Sequence, residues 1–312
     1  MNDFDQDLKQ LARHTRRRRW LMTVLIALVT GLLLVVGLYF SVQAVLERRY
    51  QATDATFITK ETIESPNIIT TSRYLTNESV FSAELVSDRY KNIDGYQVPW
   101  SQARAAFGWL QGNQDISSDG VDQTAYGLVN RATRQKLPVF TNPRAKTYHA
   151  LNELPTLKQS PNAVAEVALT FDRPYTYAQI QQLVPQNVLV NWYWLGTASR
   201  YNVAQLGRYI GVNADEKTGQ LSIETYQDFV RQVHIAAKQN SMTISGDGGP
   251  TYRLYADGVQ QTPTNQLAQA KFGGIIVSGK TTNLLKLTAQ SWITDSSVGT
   301  IVPIRGDVQP LK

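Results

Sequence analysis

Residues Trp20 to Val42 read WLMTVLIALVTGLLLVVGLYFSV, 23 residues without a charge. As a helix this run is about 35 Å long, enough to cross a hydrocarbon core of ~30 Å. The flanks give it a direction. Arg16, Arg17, Arg18 and Arg19 stand immediately before it, with Lys9 and Arg13 further back, and such a cluster is retained on the cytoplasmic side because moving it across is unfavourable. Arg48 and Arg49 follow the run and weaken the asymmetry, but Glu47 sits beside them. Trp20 and Tyr39 suit the two interfaces. A cleaved signal peptide is the rival reading, with Val42 and Ala44 as small-residue positions, but its apolar region spans only ~7–15 residues. The expected layout is a short cytoplasmic tail over 1–19, one membrane helix over 20–42, and residues 43–312 outside the cytoplasm.

Ahead of the run, Asp3 to Arg19 has acidic residues first and basic residues last, as a helix dipole favours, with Asn2 or Asp3 available as cap. Phe4, Leu8, Leu11 and Thr15 recur at spacings of four, three and four. That places a short apolar stripe on one face. It is either a stub that continues the membrane helix or a docking helix for a cytoplasmic partner, with Phe4, Leu8 and Leu11 as its contacts.

Of the 312 residues, 42% are hydrophobic, and none is cysteine. A sizeable core is possible, whereas a disulfide scaffold and thiol chemistry are excluded. The formal charge of +6 owes much to the arginine cluster, so it does not argue for nucleic acid.

Residues 43–160 form a polar, mixed membrane-proximal region. Pro66 to Leu75 alternates like a strand, Trp100 to Leu110 (WSQARAAFGWL) is predicted helical, and Asn142 to Asn162 reads as a connector. Over 161–312 strands and helices alternate, giving an α+β or α/β domain. Its predicted strands are Val164–Phe171, Asn187–Leu195, Gly273–Gly279 and Val298–Ile304. The predicted helices are Thr176–Val184 capped by Thr176, a longer one capped by Ser222, and Thr281–Gln290. Ser245 to Pro250 is a turn-rich loop.

Gly274 to Thr281, GIIVSGKT, matches the phosphate-loop spelling G-x-x-x-x-G-K-[ST]. In a working loop the four middle residues turn their N–H groups onto phosphate. Here Ile275, Ile276 and Val277 favour a buried, pleated surface, where those N–H groups serve neighbouring strands. No nucleotide is expected. Asp115 to Asp122 partly resembles a calcium loop but has Tyr126 in place of the closing glutamate, and His14, His149 and His234 lack partners at metal-ligand spacing. No metal or other cofactor is expected. There is no G-x-S-x-G elbow; paired carboxylates need only meet in space, but nothing in the sequence points to such a pair, so no enzyme is expected. Trp192, Tyr193 and Trp194 are a core strand or, with one face exposed, a platform for carbohydrate or peptide. Asn77 with Ser79 spells a glycosylation acceptor.

Ala165 to Gly196, AEVALTFDRPYTYAQIQQLVPQNVLVNWYWLG, together with IIVSGKTTNLLKL and the following WITDSSVGTIVPI, resembles the sigma factor regulator C-terminal domain of membrane-bound anti-sigma proteins in Gram-positive bacteria. The likeness spans about residues 162–306 and is weak from Thr197 to Ala270. It implies a single-pass regulator that keeps an extracytoplasmic-function sigma factor at the membrane, directly or through a small membrane co-regulator. It carries over no catalytic residue. An anchored binding module for wall polymer or peptide, with an inert tail, is the alternative.

Overall fold

A computed structural model of the chain describes residues 3–110, 120–143, 148–196, 209–239 and 265–312, with side chains from residue 13 onward. The loop at 245–250 and most of the calcium-like segment lie outside the described residues. Helix α1, Asp3–Ile63, is continuous for 61 residues, about 92 Å at 1.5 Å per residue. It includes the apolar run without a break, because that run holds no proline and its two glycines, Gly31 and Gly37, face open space. Beyond the run Thr53, Thr56 and Thr62 return their hydroxyls to carbonyls four residues back. The helix ends where Pro66 disfavours a helical conformation at Ser65 and Asn67 turns with φ 52.

Three strands follow as an antiparallel meander, β1 (Ile69–Thr76), β2 (Ser82–Ile93) and β3 (Tyr96–Gly108). Ile93 pairs with Tyr96 across a two-residue turn. Asp94 and Gly95 both have positive φ, 54 and 93, the tight hairpin turn that Asp-Gly favours. The helix predicted over Trp100–Leu110 is therefore a strand. Ala103, Ala105 and Phe107 alternate toward one buried cluster with Leu85, Val42, Leu46 and Phe57. Alanine suits a helix in isolation, but here its small side chain lets the sheet lie against α1, and packing overrides propensity. A short hairpin, β4 (Val121–Thr124) and β5 (Gly127–Asn130), comes next. The connector then forms a 3₁₀ turn, Leu154–Gln159, that buries Leu154 and Leu157.

The remaining strands are β6 (Ala163–Thr176), β7 (Leu189–Trp194), β8 (Gly211–Asn213), β9 (Lys271–Lys280) and β10 (Ile293–Pro303). They form one antiparallel sheet in the order β10-β6-β9-β7-β8. Helix α2, Tyr177–Leu183, starts at the expected Thr176 with a reciprocal capping box to Gln179. Helix α3, Ile223–Gln239, follows Ser222, whose hydroxyl accepts from the Thr225 amide. Residues 281–289 form a single α-helical turn, α4 (Thr281–Leu284), completed as 3₁₀.

Both faces of this sheet are covered. Tyr226, Phe229, Val230 and Val233 of α3 join Val167, Leu169, Tyr193, Ile275 and Val277 in one cluster, and on the other face Phe140 packs with Ala168, Trp192, Trp194 and Ile276. This explains why VAEVALTF and GIIV read as continuous rather than alternating apolar runs.

The GIIVSGKT stretch lies mid-sheet. Ile276 sits between Ala168 and Trp192, and Ile275 between Leu169 and Tyr193, so the backbone is committed on both sides. The Thr281 hydroxyl donates to the Ser160 carbonyl at 2.8 Å. Ile276→Ala is expected to cost about 2–5 kcal/mol of stability, and Lys280→Ala far less. ATP should leave the melting temperature of the detergent-solubilised chain unchanged; a rise lost with Lys280→Ala would restore the phosphate-loop reading.

Candidate functional site

The end of α1 enters the second sheet's layer of helices. Ile63 is fully buried in the cluster built by α3 and β6–β9. Thr59, one turn earlier, donates from its hydroxyl to the Gln232 side chain of α3 at 2.8 Å. The helix that contains the apolar run is thus also an element of the distal core.

Around this entry the three-stranded sheet meets the five-stranded one through a buried polar network. Lys91 of β2 lies with its Nζ 2.8 and 3.0 Å from the two Glu166 oxygens of β6; the side chains are 2% and 0% exposed. The Lys91 ammonium also sits 4.5 Å from the Trp100 ring centre, a favourable place for a desolvated cation. Asn67 donates to Glu166 Oε1 at 2.9 Å and to the Asn92 carbonyl at 3.0 Å. That carbonyl also receives Asn191 of β7. Gly299 of β10 is required here, because a Cβ would come within 2.7 Å of Glu166 Oε2.

The hairpin turn completes the junction. The Asp94 amide donates to Ser278 Oγ of β9 at 2.8 Å. Its carbonyl and its Oδ1 receive the amides of Leu311 and Lys312. Tyr96 donates to the Val308 carbonyl and accepts from the Arg305 amide. Residues 305–312 therefore strap the hairpin to the second sheet. Asp94 Oδ2 has no partner among the described residues, and burial pushes this carboxyl up to about 6 despite the amides and Lys280 that favour its charge. Tyr90 donates to Glu216 at 2.7 Å, and burial together with that bond raises it to about 12.

The sequence-predicted residues are distributed differently. Phe4, Leu8 and Leu11 lie on α1, and their side chains fall outside the described residues. Arg16, Arg17, Arg18, Arg19 and Trp20 are exposed on the same helix, far from the junction. Trp192, Tyr193 and Trp194 are buried, so this run packs in the core instead of presenting a platform. Among the described residues no group of three or more His, Asp or Glu side chains could hold a metal. A cavity of about 290 Å³ lined in part by Lys136, Phe140, Tyr148 and Glu153 has its charges already tied. Lys136 bonds both Glu153 oxygens, and Tyr148 donates to Asp295. The junction residues escaped the sequence reading because Lys91, Asn67 and Asp94 each look like ordinary surface or turn residues; only the Asp-Gly pair carried a local signal.

Residues 157–300 match the family model described as Sigma factor regulator C-terminal, and residues 9–98 match Sigma factor regulator N-terminal. The first match overlaps the segment read as similar from sequence. The second covers α1 from residue 9, β1, β2 and the start of β3. No curated protein and no solved structure matches the chain.

Removing one member of a buried ion pair leaves the other uncompensated. Lys91→Met is expected to cost about 3–5 kcal/mol in denaturant unfolding, with much of it recovered in the Lys91→Met/Glu166→Leu double variant. For Asp94, the folded carboxyl holds its proton up to about pH 6, whereas the unfolded one, near 3.8, has already lost it. The unfolded state therefore binds fewer protons in this window, and the Asp94 contribution to stability declines as pH rises from about 4 to about 6. Asp94→Asn should flatten that part of the melting profile and raise stability at pH 7.

Proposed function

The chain belongs to the sigma factor regulator family, and from this premise we propose that it is a single-pass anti-sigma factor whose cytoplasmic tail restrains an extracytoplasmic-function sigma factor. A role in regulating sigma factors follows from the family. The finer assignment rests mainly on one observation: α1 is a single helix from Asp3 to Ile63, with the tail at one end and a core residue of the distal domain at the other.

The apolar run of α1 is the membrane span, and Arg16–Arg19 keep the N-terminus cytoplasmic. Residues 1–19 then form the tail, 20–42 the span, 43–160 the membrane-proximal region and 161–312 the distal α+β domain. The tail presents Phe4, Leu8 and Leu11 to the sigma factor, alone or with a small membrane co-regulator. A stripe this short gives limited affinity, because ordering the tail offsets part of the contact energy. Where the tail does not act alone, a small membrane co-regulator supplies the remainder. The distal domain acts as the input side: a change at the Lys91–Glu166 junction alters how the end of α1 is held, and a helix transmits that change more stiffly than a loop. Burial of the Trp192–Trp194 run removes the feature that favoured a wall-polymer module.

Replacing Phe4, Leu8 and Leu11 together by alanine is expected to raise sigma-dependent reporter output while the protein stays at its normal membrane level. Capture of the sigma factor on the full-length protein should fall in parallel. If reporter and capture both stay at wild-type values, the tail does not carry the contact. Deleting residues 2–15 separates this reading from an inert tail, which predicts no regulatory defect.

A further inference from the structure

The end of the three-stranded sheet nearest the apolar run carries uncovered apolar side chains. Exposed Val80 and Phe81 lie between β1 and β2, exposed Leu110 follows β3, and half-buried Trp109 beside it packs against the cluster of Val42 and Leu46. Phe81 is 55% exposed and Leu110 84%. The two segments form one patch, since the Trp109 amide donates to the Phe81 carbonyl at 2.8 Å and the two rings are 6.2 Å apart. The turn is held by Ser79, whose hydroxyl accepts the amides of Phe81 and Ser82. The patch is therefore a built tip of the sheet.

Its height along α1 decides what it meets. Gln43, the residue after the uncharged run, reaches the Val80 carbonyl with its side-chain amide at 3.5 Å. Val42 and Leu46 are buried against the same sheet, so the tip stands at the level where the run ends. A span of about 35 Å in a core of ~30 Å puts that level at the edge of the hydrocarbon. Arg48 is exposed on the helix, about 9 Å further out by the helical rise, at the height of lipid phosphates.

We propose that Val80, Phe81 and Leu110, backed by the Trp109 ring, form a seating surface that inserts into the lipid interface around α1, with Arg48 on the headgroups. The proposal rests on the reading that residues 20–42 span a membrane. Aromatic residues favour this layer, and the patch is continuous with the helix that enters it. The occupant is lipid, because a protein partner reaching this tip would have to displace the bilayer from it. Seating fixes the tilt of the meander relative to the membrane and so gives the junction above it a fixed reference.

The chain has no cysteine, so single nitroxide labels can be placed in the full-length protein in phosphatidylcholine/phosphatidylglycerol vesicles. Collision with oxygen is compared with collision with a water-soluble nickel chelate. Labels at Phe81→Cys and Leu110→Cys should show an oxygen preference several-fold above that at Ser72→Cys, an exposed site midway along β1. Leu28→Cys reports the span itself. A lipid reading at Leu28 with aqueous readings at Phe81 and Leu110 overturns the seating surface and leaves the span intact, and this includes the case of a protein partner on the patch. An aqueous reading at Leu28 overturns both.

Discussion

A lysine and a glutamate taken out of water set the terms for the rest of this structure. Lys91 and Glu166 belong to different sheets, and each is tolerable in the interior only because the other is there. Their geometry fixes how the meander sits on the five-stranded sheet. Asn67 donates to Glu166 and, together with Asn191, to the Asn92 carbonyl beside it, and Gly299 leaves the space that the carboxylate occupies. An apolar contact of similar size would tolerate sliding; a hydrogen-bonded pair with both oxygens engaged does not. The two sheets are thus held in one register around the end of α1, whose last residue, Ile63, is buried in the cluster of the second sheet.

Much of this was legible in the sequence wherever a local period or a local cap carried the signal. The uncharged run, the Thr176 and Ser222 caps and the β6, β7, β9 and β10 strands all follow from patterns a few residues long. The phosphate-loop spelling was correctly outweighed by the branched residues within it, which occupy the middle strand of the sheet. What misled was alanine. In WSQARAAFGWL the residues that suit a helix are also the ones small enough to let a strand press against α1, and only the presence of α1 decides between the two.

The junction was illegible for a different reason. Asn67 and Glu166 are 99 residues apart, Asp94 and Lys312 218 apart, and no short-range pattern records such a meeting. Polar residues that look like surface in the sequence become interior by where the chain brings them. Asp94 is the instructive case: an Asp-Gly pair carries a local turn signal, but nothing local records that the turn is buried and strapped by residues 305–312.

That strap bears on the order in which the molecule can form. The hairpin at Asp94 is made early in the chain, yet its anchoring amides belong to Leu311 and Lys312, and β6 gains its outer neighbour only when β10 arrives. If the chain is threaded across a bilayer from its first helix onward, the meander can assemble beside α1 at once, while the distal sheet waits open-edged for the last strand. The Lys91–Glu166 pair needs only β2 and β6, whereas the buried turn at Asp94 gains its two anchoring amides only when residues 305–312 reach it.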